Sequence, residues 1–184
     1  HRGAGLASPS FVPRLERADY WCKPSCDVLS KMSEAQLSRV ESFEVGKYNI
    51  GWIRWEGCTD VRALDLDRTV EIEFGKLNMY PRGDKPPVGE GLNKKATVTL
   101  IVPPTREMQK QGLTVREISA QLAEITAAFG ATFVSYDMER WVFRVDNFGK
   151  PPLTDKELRA EAKMKELALL LTPKGRALTE LPTR

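Results

Sequence analysis

Thr69-Val70-Glu71-Ile72-Glu73-Phe74-Gly75-Lys76-Leu77-Asn78-Met79-Tyr80 is the stretch on which the fold turns. Thr69–Glu73 alternates, with Val70 and Ile72 on one face and carboxylates on the other, the period-two signature of a half-buried strand. Gly75-Lys76 reads as a turn into Leu77–Tyr80, so the segment predicts a hairpin. Strands on either side carry the pattern further. Ser42–Val45 and Ile50–Trp55 precede it, separated by Gly46 and closed by Gly57, and Ala96–Val102 comes after it and runs until Pro103-Pro104. Strands that succeed one another without intervening helices exclude a doubly wound α/β sheet.

Helices flank this run. Ser25 can cap a short helix over 27–32, and 33–39 predicts a further turn. Thr114 with Glu117 forms a capping-box pattern ahead of an apolar stripe at Val115, Ile118, Leu122, Ile125 and Phe129, ended by Gly130. Two strands come next, 132–136 and 141–145, with 137–140 as the turn. Thr154 with Glu157 then caps a last helix to about 171, with a stripe of Ala160, Met164, Leu167, Ala168 and Leu171. The expectation is an α+β, sandwich-like domain of six or seven short strands flanked by helices, plus a C-terminal helix. Residues 1–17 form an irregular lead-in, 18–149 the domain, and 150–184 an extension.

Composition narrows the function. The 184 residues are 41% hydrophobic and 29% charged, ordinary values for a globular chain. Residues 1–140 carry 19 basic and 19 acidic side chains, so the net charge of +3 lies wholly in the tail. A charge-balanced body argues against nucleic-acid binding as the main activity. Cys22, Cys26 and Cys58, with His1 the only histidine, do not make a zinc set and read as reduced thiols. No apolar run approaches the ~20 residues that span a bilayer. The start at His1, without an initiating methionine, reads as a fragment of a longer protein. Gly89-Glu90-Gly91 lacks the Lys-Ser/Thr of a phosphate loop and reads as a turn, so no nucleotide or metal cofactor is expected. Asp65/Asp67 and Glu71/Glu73 read as solvated faces of strands rather than an acid–base pair, and the tryptophans as core.

Two stretches carry a resemblance. Lys85-Pro86-Pro87-Val88-Gly89-Glu90-Gly91-Leu92-Asn93-Lys94-Lys95-Ala96 is similar to the most distinctive loop of the nucleoporin autopeptidase domain of Phe-Gly-repeat nucleoporins. Trp141-Val142-Phe143-Arg144-Val145-Asp146-Asn147-Phe148 resembles the strand bearing that family's cleavage site. A weaker pattern runs from Tyr20 through Gly46, Gly57, 64–67 and Val70 to Tyr80.

The family cuts itself at His-Phe-Ser: the serine hydroxyl attacks the preceding carbonyl, histidine takes the proton, and water hydrolyses the ester. Here Asn147-Phe148-Gly149 stands at those positions, with neither hydroxyl nor base. The resemblance implies a non-enzymatic docking domain of the nuclear pore, at the nuclear envelope. It also implies Phe-Gly repeats upstream that engage transport factors, a β-propeller nucleoporin as docking partner, and helical scaffold nucleoporins as neighbours. The alternatives it raises are a residual autopeptidase, or RNA binding through Lys85 and the segment Gly91, Leu92, Asn93, Lys94, Lys95.

Overall fold

The computed structural model describes residues 5–149 and 155–171, the side chains of 155, 157 and 171 apart. The fold class is α+β, with ten strands among the described residues rather than six or seven. Six of them, β1 (Tyr20–Lys23), β3 (Glu44–Lys47), β4 (Gly51–Trp55), β8 (Ala96–Ile101), β10 (Arg140–Val145) and β9 (Thr132–Asp137), form one antiparallel sheet in that spatial order. The additional strands are short. They are β1 itself and the pair β2 (Val40–Glu41) with β5 (Cys58–Thr59). The predicted hairpin is present as β6 (Val70–Glu73) and β7 (Lys76–Met79), joined through Gly75 at φ +64°. In place of a second full sheet, this hairpin and the helices cover the inner face of the large one.

Period-two alternation sorts the residues of the large sheet. Val45, Ile53, Val98, Leu100 and Trp141 point inward and are buried with Val70 and Ile72 from the hairpin. Gly46 does not separate two strands, as its identity suggested, but lies inside β3. A Cβ there would sit 2.4 Å from the Trp21 ring, so only glycine lets that indole lie across the strand.

The helices α1 (Cys26–Leu29) and α2 (Glu34–Leu37) are capped by Ser25 and Ser33, the latter in a full capping box with Gln36. An unforeseen helix, α4 (Arg106–Lys110), begins after the Pro103-Pro104 break and buries only Met108. α5 (Val115–Ala128) has its expected cap at Thr114, whose Oγ1 accepts from Glu117 N at 3.1 Å. Its stripe buries Ile118, Leu122 and Ile125, while the terminal members Val115 and Phe129 are exposed. The final helix α6 (Asp155–Leu171) lies back on the domain. Ala160 and Leu167 are buried, Met164 packs against the core, and Lys163 pairs with Glu124 on α5 at 2.8 Å. The expected Thr154–Glu157 cap lies outside the described residues.

Asp65 and Asp67 do not alternate along a strand. Asp65 caps α3 (Leu66–Thr69), accepting from Arg68 N, and Asp67 sits in that helical turn. The lead-in is irregular but docked: Phe11, Val12 and Leu15 pack on the core, and Arg14 bridges to Asp65. Asp67 fastens it, accepting from Glu16 N at 2.8 Å, Arg17 N at 3.2 Å and Arg17 Nε at 3.0 Å. Burial pushes the Asp67 carboxyl up, but these hydrogen bonds outweigh it and leave it below the usual carboxylate value. A carboxyl depressed in the folded state contributes stability above its unfolded pKa, and loses it as pH falls through the folded value. Urea melts are therefore expected to show stability declining below about pH 4. Asp67→Asn should cost about 1–3 kcal/mol at neutral pH and flatten that acid slope. An unchanged slope would remove Asp67 from this role.

Candidate functional site

Two stretches far apart in sequence converge at one end of the sheet's central strands, beyond Trp55 of β4, Ala96 of β8 and Val145 of β10. Residues 81–95 leave β7 as a loop whose tight turns need left-handed backbone at Gly89 (φ +95°) and Gly91 (φ +55°). Gly89 N donates to Asn93 O at 2.7 Å and Asn93 N to Glu90 O at 3.0 Å, which closes the turn. At Gly91 the left-handed backbone is what calls for glycine, since a Cβ there would make only ordinary contact with Pro86 and Tyr80 at 3.4 Å.

The turn drives Leu92 and Asn93 inward, to 0% and 1% exposure. Buried peptide groups need partners, and tyrosine and tryptophan supply them. Leu92 N donates to Tyr80 Oη at 3.1 Å, and Trp55 Nε1 donates to Leu92 O at 2.8 Å. Trp55, fully buried on β4, meets Phe43 and Phe148 in tilted ring contacts, with centroids 6.0 Å and 6.5 Å away.

Asn93 is the hinge of the site. Its Nδ2 donates to Pro86 O at 2.9 Å, which orients the side chain, and its Oδ1 accepts from Phe148 N at 2.6 Å. Lys85 Nζ donates to Phe148 O. One residue, Phe148, is thus held at its N–H by Asn93 and at its carbonyl by a cation. A cation on a carbonyl oxygen is the arrangement that stabilises developing negative charge there.

The residues flanking Phe148 turn to each other. Gly149 N donates to Asn147 Oδ1 at 2.8 Å, so Asn147 spends its acceptor on the backbone. Gly149 carries no hydroxyl, and a Cβ at that position would meet Asn147 Oδ1 at 3.0 Å and Val88 Cγ2 at 3.2 Å. The Phe148 carbonyl thus has a cation as its donor, and the residues on either side of Phe148 carry neither a hydroxyl nor an imidazole.

Two of the loop's three lysines, Lys85 and Lys94, donate to backbone carbonyls. Lys94 Nζ donates to Glu56 O at 3.0 Å and to Cys58 O, and burial pulls its ammonium below the ordinary lysine value. Lys95 is exposed and contributes its carbonyl to Glu56 N. The structure thus gathers Lys85, Gly91, Leu92 and Asn93 around Phe148, while Lys94 ties the loop to the β4–β5 connection. Trp55 and Tyr80, read from sequence as core and as part of a weak pattern, are the supports of the site. Their buried polar atoms were the available signal, because each had to find a partner.

The chain matches the family model Nucleoporin2, described as Nup98-96 autopeptidase S59, over residues 17–151. It is 40% identical over 153 residues to "Nuclear pore complex protein NUP96" of Arabidopsis thaliana, covering 79% of this chain and 14% of that protein. It is 35% identical over 147 residues to "Nuclear pore complex protein Nup98-Nup96" of Dictyostelium discoideum, covering 76% of this chain and 7% of that protein. The chain thus spans a small part of these relatives. Among solved structures it is similar to a Chaetomium thermophilum Nup145N APD mutant fused to Nup145C N. That match has a TM-score of 0.59 and 30% identity, over 73% of this chain and 98% of that one. With the family model matched across residues 17–151, the chain belongs to the nucleoporin autopeptidase family, domains of nuclear pore complex proteins at the nuclear envelope.

Proposed function

We propose that this domain is a non-cleaving docking module, which anchors a Phe-Gly-repeat arm to the pore scaffold through an uncut peptide bond after Phe148. The observation that carries the reading is the pair Asn147 and Gly149. Without an oxygen at residue 149 no ester can form at Phe148, and without a base at 147 no proton can be taken. The surrounding clamp then serves a structural end, holding the outgoing chain against the domain.

The intact bond continues toward α6, which packs on α4 and α5 and ends with Leu170 O accepting from Thr105 Oγ1. The crystallised Chaetomium thermophilum Nup145N APD mutant is fused to Nup145C N, an arrangement that supports a connector reading. The partners implied are a β-propeller nucleoporin for the domain and helical scaffold nucleoporins for the chain on the far side of the uncut bond.

Intact-mass measurement of the purified chain tests the uncut bond. A single species of 20.7 kDa is expected, and two fragments divided between Phe148 and Gly149 would overturn the proposal. Titration with a purified β-propeller nucleoporin tests the docking, where saturable one-to-one binding is expected and its absence would leave the domain without its anchor.

A further inference from the structure

Cys22 Sγ and Cys26 Sγ stand 3.6 Å apart, in direct contact, on two elements joined by Lys23-Pro24-Ser25. Backbone hydrogen bonding fixes both ends of this pair. Cys22 lies on the edge strand β1 opposite Val45 of β3, and the strand's alternation turns it inward to 8% exposure. Cys26 is the first residue of α1, where Ser25 Oγ accepts from Val28 N at 3.3 Å and Cys26 O accepts from Ser30 N at 2.9 Å. Cys26 is half-buried, so solvent reaches the pair from its side.

The surroundings narrow what two touching thiols can do. No group of three or more His, Cys, Asp or Glu side chains is placed to hold a metal among the described residues, so the pair does not grow into a tetrahedral zinc set. A disulfide holds its sulfurs about 2.0 Å apart, which leaves a gap of about 1.6 Å, the scale of rotations about the two Cα–Cβ bonds. Burial, with Cys26 beside it, pushes the Cys22 thiol above its ordinary value, so Cys22 stays protonated and the reachable Cys26 reacts first. Cys58 supplies the comparison: it is exposed on β5, and the only sulfur–sulfur contact among the described residues is the one between Cys22 and Cys26.

We propose that Cys22 and Cys26 form a reversible oxidation site, a dithiol that a small-molecule disulfide such as glutathione disulfide converts into an intramolecular disulfide. The Cys26 thiolate attacks one sulfur of glutathione disulfide, forming a mixed disulfide and releasing one glutathione thiolate, which takes up a proton. Cys22 then gives up its proton and attacks Cys26 Sγ, so that the bond to glutathione breaks and the bond between the two cysteines forms. In sum two S–H bonds become one S–S bond, and two electrons and two protons leave with two molecules of glutathione. The new bond ties the edge of the large sheet to α1, beside the point where the lead-in docks through Ala7 N on Met32 O at 2.9 Å. The site is separate from the Phe148 clamp and from propeller docking, so its failure would leave the connector reading untouched.

The test equilibrates the full chain in glutathione buffers of increasing oxidised fraction, alkylates the remaining thiols and reads tryptic peptides by mass. Pro24 protects Lys23 from trypsin, so both cysteines stay on one peptide, residues 18–31. That peptide is expected to lose two hydrogens and refuse the alkylating reagent, and to recover both thiols with dithiothreitol. Diluting the buffer tenfold at a constant ratio of its two forms should raise the oxidised-to-reduced ratio about tenfold, because two glutathiones are released for each disulfide consumed. A mixed disulfide would not respond to that dilution. Cys26→Ser, at the half-buried position, should abolish the change, whereas Cys58→Ser should leave the titration where it was. Circular dichroism of each variant establishes that it is folded. The proposal is overturned if the folded chain keeps both thiols open to alkylation across the series, or if peptide 18–31 carries glutathione in place of an internal bond. It also fails if Cys58→Ser removes the oxidation, or if non-reducing gels show that the bond joins two chains.

Discussion

Changing Asn147→His and Gly149→Ser together is expected to convert the intact chain into two fragments divided after Phe148. The site already holds the rest of the required geometry. Phe148 O accepts from Lys85, Phe148 N is fixed by Asn93, and the Phe148 ring rests on Trp55. A serine at 149 would place its hydroxyl next to that carbonyl carbon. Attack forms a C–O bond and breaks the C–N bond, leaving an ester at Phe148 and a free amine at 149. The hydroxyl proton passes through the imidazole at 147 to the leaving amine, and water then hydrolyses the ester.

The position admits the change. Gly149 does not occupy the left-handed backbone region, so a side chain adds no conformational strain there. Of the two close contacts its Cβ would make, one is to Asn147 Oδ1, which the companion substitution removes. The other, to Val88 Cγ2 at 3.2 Å, asks an exposed side chain to give by a few tenths of an ångström.

Gly149→Ser alone supplies a nucleophile without a base and should cut at least ~100-fold more slowly than the double variant. Asn147→His alone should not cut at all. Gel electrophoresis and intact mass over time read all three. A double variant that folds cooperatively and stays whole would show that the Phe148 clamp is not a cleavage-competent frame.

How much of this was legible depended on whether a local rule and the tertiary environment agreed. The β6–β7 hairpin was readable because alternation at Val70 and Ile72 and the left-handed turn at Gly75 coincide. The α5 core stripe was readable for the same reason, whereas Val115 and Phe129 overrun the surface that the sheet offers and end exposed. Asp65 and Asp67 fit a strand's period but also fit a helix cap. Arg68 N and the docked lead-in decided for the cap, and the lead-in's docking is a tertiary fact. β1 was invisible because Tyr20–Lys23 is a strand only through its pairing with β3, and α4 because a single buried residue, Met108, leaves no stripe.

In the site, the sequence marked which segments mattered but not how their side chains aim. Lys85, Lys94 and Lys95 look alike in the chain, yet the first two donate inward to carbonyls and only the third is exposed to solvent. Burial and long-range pairing decide that difference. β4 joins β8 across about forty residues, and that crossover sets the Trp55 support.

Trp55→Ala should be among the most destabilising single changes the chain can suffer. The side chain has no exposed surface, so truncation removes its packing against Phe43 and Phe148 and leaves a cavity. It also strands Leu92 O, whose buried carbonyl accepts from Trp55 Nε1. Together these are worth about 3–5 kcal/mol, a fall in Tm of about 10 °C for a domain of this size. Trp55→Phe separates the two parts, because it keeps an aromatic ring but orphans the carbonyl, and should cost about 1–3 kcal/mol. Both changes loosen the support beneath Phe148, so protease cutting near 147–149 should quicken in step with the stability loss.

Trp52 provides the internal control. It lies three residues away on the same strand, hence on the opposite face, and Trp52→Ala removes a partly buried ring that is not among the core residues. Its melt should stay within about 1 kcal/mol of the wild type. Equal losses from Trp52→Ala and Trp55→Ala would mean that the outer face of the strand is packed as tightly as the core.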